Sequence, residues 1–482
     1  MELVLIPFPA TGHLVSLLEM AKLLVDRDTR LTANVIVFNM PDVPPIDITS
    51  IKQSISTDRL HLIEIPTNKG DSKTPTTSLT NFVRAQIPFV KDAIATHITG
   101  RSGSGRLIAF LFDMFCASMI DVAEQDYGVP GYMFFPSNAS LLGLFNHLLT
   151  LSDNGQDITD FDGSDAELAV PAYPIPFPAK VLPWIALDKN DGSVAWLDVV
   201  RNLRKAKGIV VNTFYDVEPE AIEAILNDEG SPPIYPVGPI LNLSKSVGDK
   251  RDDIVQWLDQ QPPSSVIFLC FGSMGSFEDA QVKQMAIAIE RSGHRFLWSV
   301  RRPPTSSGGK PWLTSEYNEL ELEKVMPEGF FTRTAEIGKV IGWAPQVDVL
   351  GHKAVGGFVT HCGWNSTMES LWFGVPTASW PLYAEQQANA FRMIKVLDLA
   401  VEIKMDYRNN FSRSGEEIVV EAGIIENALR RLMDENSGEN QDRRTRVKEM
   451  SEKSRKAVQE GGSSYLSLGR FIDDITNIPN LL

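Results

Sequence analysis

The chain has 482 residues, 43% of them hydrophobic and 22% charged, with a formal net charge of −16. One hydrophobic core seldom grows past roughly 250–300 residues, so this length implies two domains, and the acidic balance points to small molecules as partners, with no nucleic acid. The three cysteines, Cys116, Cys270 and Cys362, are odd in number, far apart and set in apolar sequence, which fits buried thiols in a reducing compartment and not a disulfide framework or a zinc site.

The first half alternates strand-like and helix-like segments. The run ELVLIPF, residues 2–8, reads as a β-strand; no basic region precedes it, so a signal peptide is not expected. A helix follows, with Leu14, Leu17, Leu18, Ala21, Leu24 and Val25 on one face. Further strands are expected at LTANVIVF, LHLIEI, RLIAFLF, GVPGYMFF and GIVVNTF. Short, nearly continuous apolar strands between helices argue for a parallel sheet covered on both faces.

Segment 234–253 breaks the pattern with Pro, Gly and then charged residues, and the interdomain linker is placed there, at 241–253. The alternation then resumes: SSVIFLCFGS, a helix around 278–291, HRFLWSV, a long Pro/Gly/Ser-rich surface loop at 301–325, and strands in GKVIGW, AVGGFVTHCGWNS and GVPTASWP. Residues 415–482 read as mostly helical, with breaks near 436–442 and 460–464. The fold expected is α/β, two doubly wound parallel-sheet domains facing across a cleft: 1–240 and 254–460, with 461–482 a C-terminal helix packing back on the first. No apolar run reaches the roughly 18 residues of a membrane-spanning helix, so a cytoplasmic protein without stable membrane insertion is expected.

In open α/β sheets, ligands bind beyond the carboxyl ends of the strands. In PFPATGHLV, residues 7–15, Gly12 and His13 sit where the first strand hands over to its helix. His13 is either a helix-start residue or a general base, the role imidazole suits near neutral pH. Asp113 ends the apolar strand of LIAFLFDMFCASMI; it either caps the helix that follows or pairs with His13, and position alone leaves both open. Its strand-end place makes it a crevice residue and not a core residue. The block at 343–386 is the densest. Gly363 clears steric bulk, and Asn365 and Ser366 open a helix whose free N–H groups and dipole suit a diphosphate. The spacing of Ser366 and Glu369 equally fits a plain capping box. Trp343, at a loop start, suits either a core or stacking on a nucleobase. Glu385 and Gln386 suit polyol hydroxyls. The Gly272–Ser273 turn in CFGSMG offers further donors.

Residues 343–386 resemble the 44-residue signature box of plant secondary-product UDP-sugar glycosyltransferases, the family 1 enzymes of the GT-B fold. W-A-P-Q opens the block, H-C-G-W-N-S lies in the middle, G-V-P follows, and E-Q closes it. IPFPATGHL, LFDMFCASMIDVA and FGSMG extend the resemblance over nearly the whole chain. It implies an inverting enzyme in which His13 is the base and Asp113 its partner. Trp343 and the Ala344 backbone would bind uracil, and Gln346 and Glu369 the ribose. Ser273, His361, Gly363, Asn365 and Ser366 would line the diphosphate, with Trp364, Glu385 and Gln386 at the sugar. Gln386 at the box terminus favours UDP-glucose. Gly12, Phe115 and Phe145 become acceptor-site candidates, though both phenylalanines equally suit a core. Phe8 and Ala10–Thr11 depart from the small-residue loop of many relatives.

The resemblance implies O-glucosylation of a small, partly apolar metabolite such as a flavonoid, another phenolic or a terpenoid. Another UDP-sugar, an N, S or carboxylate acceptor, or a non-catalytic nucleotide-sugar binder are the alternatives. UDP-glucose is a co-substrate; no cofactor or metal is expected, and the chain is expected to be a monomer. A Rossmann oxidoreductase or epimerase would need G-x-G-x-x-G after the first strand and commonly Tyr-x-x-x-Lys. The first loop lacks the former, and none of the nine tyrosines has Lys four residues on.

Overall fold

Seven apolar runs of the first half become parallel strands: β1 (Glu2–Ile6), β2 (Thr32–Val37), β3 (Leu60–Glu64), β4 (Leu107–Asp113), β5 (Gly131–Phe135), β6 (Ile209–Val211) and β7 (Ile234–Pro236). They form one sheet in the order β3-β2-β1-β4-β5-β6-β7. The structure is a computed structural model and describes residues 1–40, 48–53, 55, 57–66, 75–100, 105–244, 249–304, 314–408 and 418–477. β1 lies between β2 and β4, with Leu5 beside both Val35 and Leu111. All seven residues of β4 are buried, as a strand covered on both faces requires. Helix α1 (Thr11–Arg27) buries the six residues of its expected apolar face. They join Leu3, Leu5, Val35 and Leu111 in one core. Each such leucine or valine side chain contributes about 1.5–3 kcal/mol on burial.

The second half builds a six-stranded parallel sheet from β8 (Val266–Cys270), β9 (Arg295–Ser299), β10 (Gly338–Ile341), β11 (Val355–Thr360), β12 (Thr377–Ser379) and β13 (Ala400–Glu402), in the order β10-β9-β8-β11-β12-β13. Alternation along β8 sorts its side chains between two cores. Ile267 and Leu269 meet helices α2 (Asp279–Ser292) and, further along, Ala422–Met433, through Met285, Ile289, Ile425 and Leu429. Phe268 meets Leu297, Phe358, Val349 and Leu350 on the other face.

Two compact units result. The first comprises Met1–Ala179, Ile185–Asn242 and Lys456–Leu482, the second Lys180–Trp184 and Leu243–Arg455. The helix Ser463–Thr476 belongs to the first unit, where Leu468, Phe471, Ile472 and Ile475 enter its core. Ser464 Oγ donates to the Gly238 carbonyl at 2.5 Å, and the Tyr235 hydroxyl donates to Asp474.

Three local expectations need correction. β7 lies in the segment assigned to the break in pattern; it is an edge strand, where Pro236 removes no needed ladder bond. Residues 249–253 of the expected linker begin a helix, Asp249–Asp259, whose Ile254 and Leu258 are buried. β13 was also not expected, being only three residues long. Residues 245–248 of the linker and 305–313 of the expected long loop lie outside the described residues, as do 478–482 of the tail. Among the described residues, no helix is long and apolar enough to cross a membrane.

Candidate functional site

In the first unit the chemistry gathers at the carboxyl ends of β1 and β4, which are neighbours in the sheet. His13 lies in the first turn of α1, where its N–H donates to the Ala10 carbonyl at 3.0 Å. Its Nδ1 stands 2.8 Å from Asp113 Oδ2, across 100 residues of sequence. The other carboxylate oxygen, Oδ1, accepts the Phe115 N–H at 3.0 Å and caps the 3₁₀ turn Met114–Met119. Capping and pairing are therefore both true, one per oxygen. The expectation that Asp113 escapes burial is overturned: it is 0% exposed. Its charge is tolerated because both oxygens hold a donor; an unpaired buried carboxylate would cost several kcal/mol. A carboxylate opposite Nδ1 requires the proton on Nδ1, which leaves a lone pair on Nε2. The His13 side chain keeps 23% exposure, so this nitrogen's ring is open to a ligand while its partner is not. That arrangement can accept a proton.

Two phenyl rings flank the imidazole. Phe8 lies edge-on at 5.7 Å between centroids, and Phe115 lies tilted at 5.0 Å. Phe115 is half-buried at the open side, as an acceptor wall would need. Gly12 is exposed, and its carbonyl accepts the Ser16 hydroxyl at 2.8 Å. Phe145 does not join this group. It is 3% exposed and packs edge-on against Trp196 at 4.4 Å and Phe135 at 5.9 Å, so its place is in the core.

In the second unit, β8, β11 and β12 are adjacent and end together. β11 runs into His361, Cys362 and Gly363, then into helix α3 (Trp364–Phe373). The turn is strained, with Cys362 at φ 64°, a left-handed conformation costly for a residue with a Cβ. It is held by Thr360 Oγ1, which accepts the Cys362 N–H at 3.2 Å, and by Asn389, whose amide donates to the Cys362 carbonyl at 2.9 Å. Asn389 was missed in the sequence; the signal is an amide in the middle of a buried helix, α4 (Gln386–Phe391). A Cβ on Gly272 or Gly363 would lie 2.8 or 2.6 Å from His361 Nε2, so both glycines make room for that ring. Burial pushes the His361 imidazole down to about 4, so it is neutral near pH 7. Its Nδ1 is buried without a hydrogen-bond partner among the described residues.

Helix α3 starts at Trp364, after Gly363, which provides no side-chain cap. Ser366 and Glu369 are therefore interior positions and not a capping box. Three residues apart, they share a face, and Gln346 reaches both: its amide donates to Ser366 Oγ at 2.9 Å and Glu369 Oε2 at 2.6 Å. Burial pushes the Glu369 carboxyl up to about 7, against the Gln346 hydrogen bond. Asn365 is partly exposed, and the indole of Trp364 is buried. Ten residues long, α3 has the positive end of its dipole at its start, as anion binding requires.

The remaining candidates lie on loops around these strand ends. Trp343 follows β10 and is 46% exposed, and Ala344 beside it is buried. Ser273 is exposed, and its carbonyl accepts the Thr314 hydroxyl at 3.0 Å. Glu385 precedes α4, and Gln386 opens it. Gln386 is buried, and its Oε1 accepts the N–H groups of Leu382 and Tyr383 at 2.9 and 3.1 Å, which leaves the amide NH₂ as its donor. Among the described residues, no group of three His, Cys, Asp or Glu side chains could hold a metal ion.

The chain is similar to known proteins in sequence and in fold. Residues 241–435 match the family model described as UDP-glucoronosyl and UDP-glucosyl transferase. A putative UDP-glucose flavonoid 3-O-glucosyltransferase of Fragaria ananassa is 51% identical over 98% of this chain and 99% of its own. The crystal structure of a Siraitia grosvenorii transferase in complex with UDP superposes with a TM-score of 0.84 at 44% identity, covering 98% of this chain and 99% of that one. Medicago truncatula UGT71G1 complexed with UDP-glucose gives 0.85 at 40%, covering 98% of each.

Proposed function

The chain belongs to the plant family 1 UDP-glycosyltransferases, of GT-B fold, and on that premise we propose that it transfers glucose from UDP-glucose to a hydroxyl of a small, partly apolar plant metabolite, a flavonoid, another phenolic or a terpenoid, giving a β-glucoside. The observation that carries the proposal is the 2.8 Å pairing of His13 Nδ1 with Asp113 Oδ2. The acceptor O–H donates to Nε2. As its oxygen attacks the anomeric carbon, the proton moves to Nε2 and the bond from that carbon to the diphosphate oxygen breaks on the opposite face. Inversion turns the α-linked donor into a β-linked product. Asp113 stabilises the imidazolium and fixes its tautomer, as in other base–carboxylate pairs. Such base catalysis contributes about 10²–10⁴ in rate.

Departing UDP is anionic, and this role falls to the second unit. The N-terminal N–H groups of α3, with Asn365, Ser366 and Ser273, would take its diphosphate. His361 is neutral and would act as an N–H donor, not as a cation. Trp343, exposed at its loop, would stack on uracil beside the Ala344 backbone, an interaction worth on the order of 1–3 kcal/mol. Gln346 and Glu369 would meet the ribose, and Glu385, Gln386 and Trp364 the sugar. The Gln386 oxygen is held by two backbone N–H groups, so its amide would meet a sugar hydroxyl as a donor in a fixed orientation.

The test is substitution of the pair. His13→Ala should abolish transfer while UDP-glucose binding, read by calorimetry, persists; near-wild-type turnover would sink the base assignment. Asp113→Asn retains an oxygen for the Phe115 cap but presents an amide to His13, favouring the wrong tautomer. Turnover should fall by about 10³ or more. Unchanged turnover with only lowered stability would leave Asp113 a cap alone.

A further inference from the structure

We propose that Phe8 is a positioning residue of the transfer reaction, acting through His13: with Phe115 it grips the imidazole so that Nδ1 stays on Asp113 and Nε2 stays presented to the acceptor. The proposal rests on the assignment of His13 as base. The hydrogen bond at Nδ1 fixes a distance but does not itself set the tilt of the ring about the line to Asp113. Two rings packed on it set that tilt. Phe8 stands edge-on to His13 at 79° and to Phe115 at 61°, with centroids 5.7 and 5.2 Å away; His13 and Phe115 close the triangle at 5.0 Å. Aromatic groups at these separations attract and orient one another.

The loop makes Phe8 a rigid support. Pro7 and Pro9 flank it, fixing their own φ and keeping the residue before each out of the helical region. The Ala10 N–H then donates to the Phe8 carbonyl at 2.8 Å, and the His13 N–H to the Ala10 carbonyl at 3.0 Å. Phe8 and His13 are thus joined through a short hydrogen-bonded backbone path as well as through their rings. Asp113 is held by the same group: Phe115 donates its N–H to Oδ1 and lays its ring on the imidazole. Cys116, close by, does not compete for the imidazole. Burial and the Asp113 charge push its thiol well above the usual range, so it stays neutral.

A phenylalanine that only fills space would cost stability when cut back and leave the chemistry of the folded enzyme alone. One that only lines the acceptor would change KM. A positioning residue changes kcat and the titration of the base. A misplacement of about 1 Å can cost on the order of 10²-fold in rate. A carboxylate partner favours the protonated imidazole, so loosening the pair lowers the pH at which the base becomes active.

The experiment compares Phe8→Leu, Phe8→Ala and Phe8→Tyr with the unaltered enzyme and with His13→Ala, using UDP-glucose and one accepted phenol. Steady-state kinetics are measured across pH, and UDP-glucose affinity and thermal unfolding report folding. Phe8→Leu should lower kcat by roughly 10–100-fold, shift acceptor KM by less than about twofold, and move the acid limb of kcat/KM to lower pH. Phe8→Tyr, which keeps the ring, should restore both. Unchanged kcat and acid limb in folded Phe8→Leu, or a rise in acceptor KM alone, would overturn the proposal. Should Phe8→Ala fail to fold, the leucine and tyrosine variants decide it. Retained turnover in His13→Ala would instead remove the base assignment on which it stands.

Discussion

A buried imidazole and a half-buried carboxyl in the second unit titrate in opposite senses. Burial raises the Glu369 carboxyl from 4.5 to about 7 and lowers the His361 imidazole from 6.5 to about 4. Folded Glu369 keeps a proton that the unfolded chain has lost between pH 4.5 and 7. Its contribution is full below pH 4.5 and declines as pH rises through 7. The unfolded chain protonates His361 between pH 6.5 and 4 while the folded one does not, so its contribution is lost as pH falls through that window. Between pH 4.5 and 6.5 the two oppose each other. Glu369→Gln removes the declining term and exposes the rising one. Denaturant unfolding across pH 4.5–6.5 should then show stability climbing with pH more steeply than in the unaltered chain, by on the order of 1–3 kcal/mol over the window. An unchanged slope would mean that Glu369 titrates as an exposed carboxyl. None of this was visible in the sequence, where Ser366 and Glu369 fitted a capping box. Their spacing was right for a shared face, but the helix starts at Trp364, and their partner is Gln346, some 20 residues earlier.

The element that shapes the proposed diphosphate site is the turn from β11 into α3. Gly363 has φ −59°, which alanine tolerates, so its need for glycine is steric and comes from His361. Gly272 has a left-handed φ of 75° and the same neighbour, so two constraints act there at once. Gly363→Ala should leave the fold intact and displace the His361 ring. UDP-glucose affinity by calorimetry should fall about tenfold, or 1.4 kcal/mol; unchanged affinity would contradict a role for this approach. Long apolar strands such as LIAFLFD were readable because parallel strands buried on both faces need continuous apolar sequence. Ile234–Pro236 and Ala400–Glu402 were not, since three residues carry no period. They are strands because a neighbour offers a ladder.

At the scale of the molecule, a chain of net charge −16 is proposed to bind a dianionic donor whose leaving group departs with a further negative charge. The overall field opposes that, so the attraction must be local, from the α3 terminus and the neutral donors around it. The division of the chain follows packing more than sequence order: Lys456–Leu482 joins the first unit and Lys180–Trp184 the second. Local composition could not assign a five-residue segment to a distant core. The candidate catalytic pair was legible as two strand ends. The full burial of Asp113 and the flanking by Phe8 were not, because both depend on how β1 and β4 align. The most direct test of the account is to incubate the purified chain with UDP-glucose, UDP-galactose and UDP-glucuronate against a panel of flavonoid, simple phenolic and terpenoid alcohols. Products are identified by mass and their anomeric configuration by proton NMR coupling. The expected result is a hexosylated product formed preferentially from UDP-glucose and carrying a β linkage. An α-linked product, or UDP-glucose hydrolysis with no acceptor modified, would contradict it.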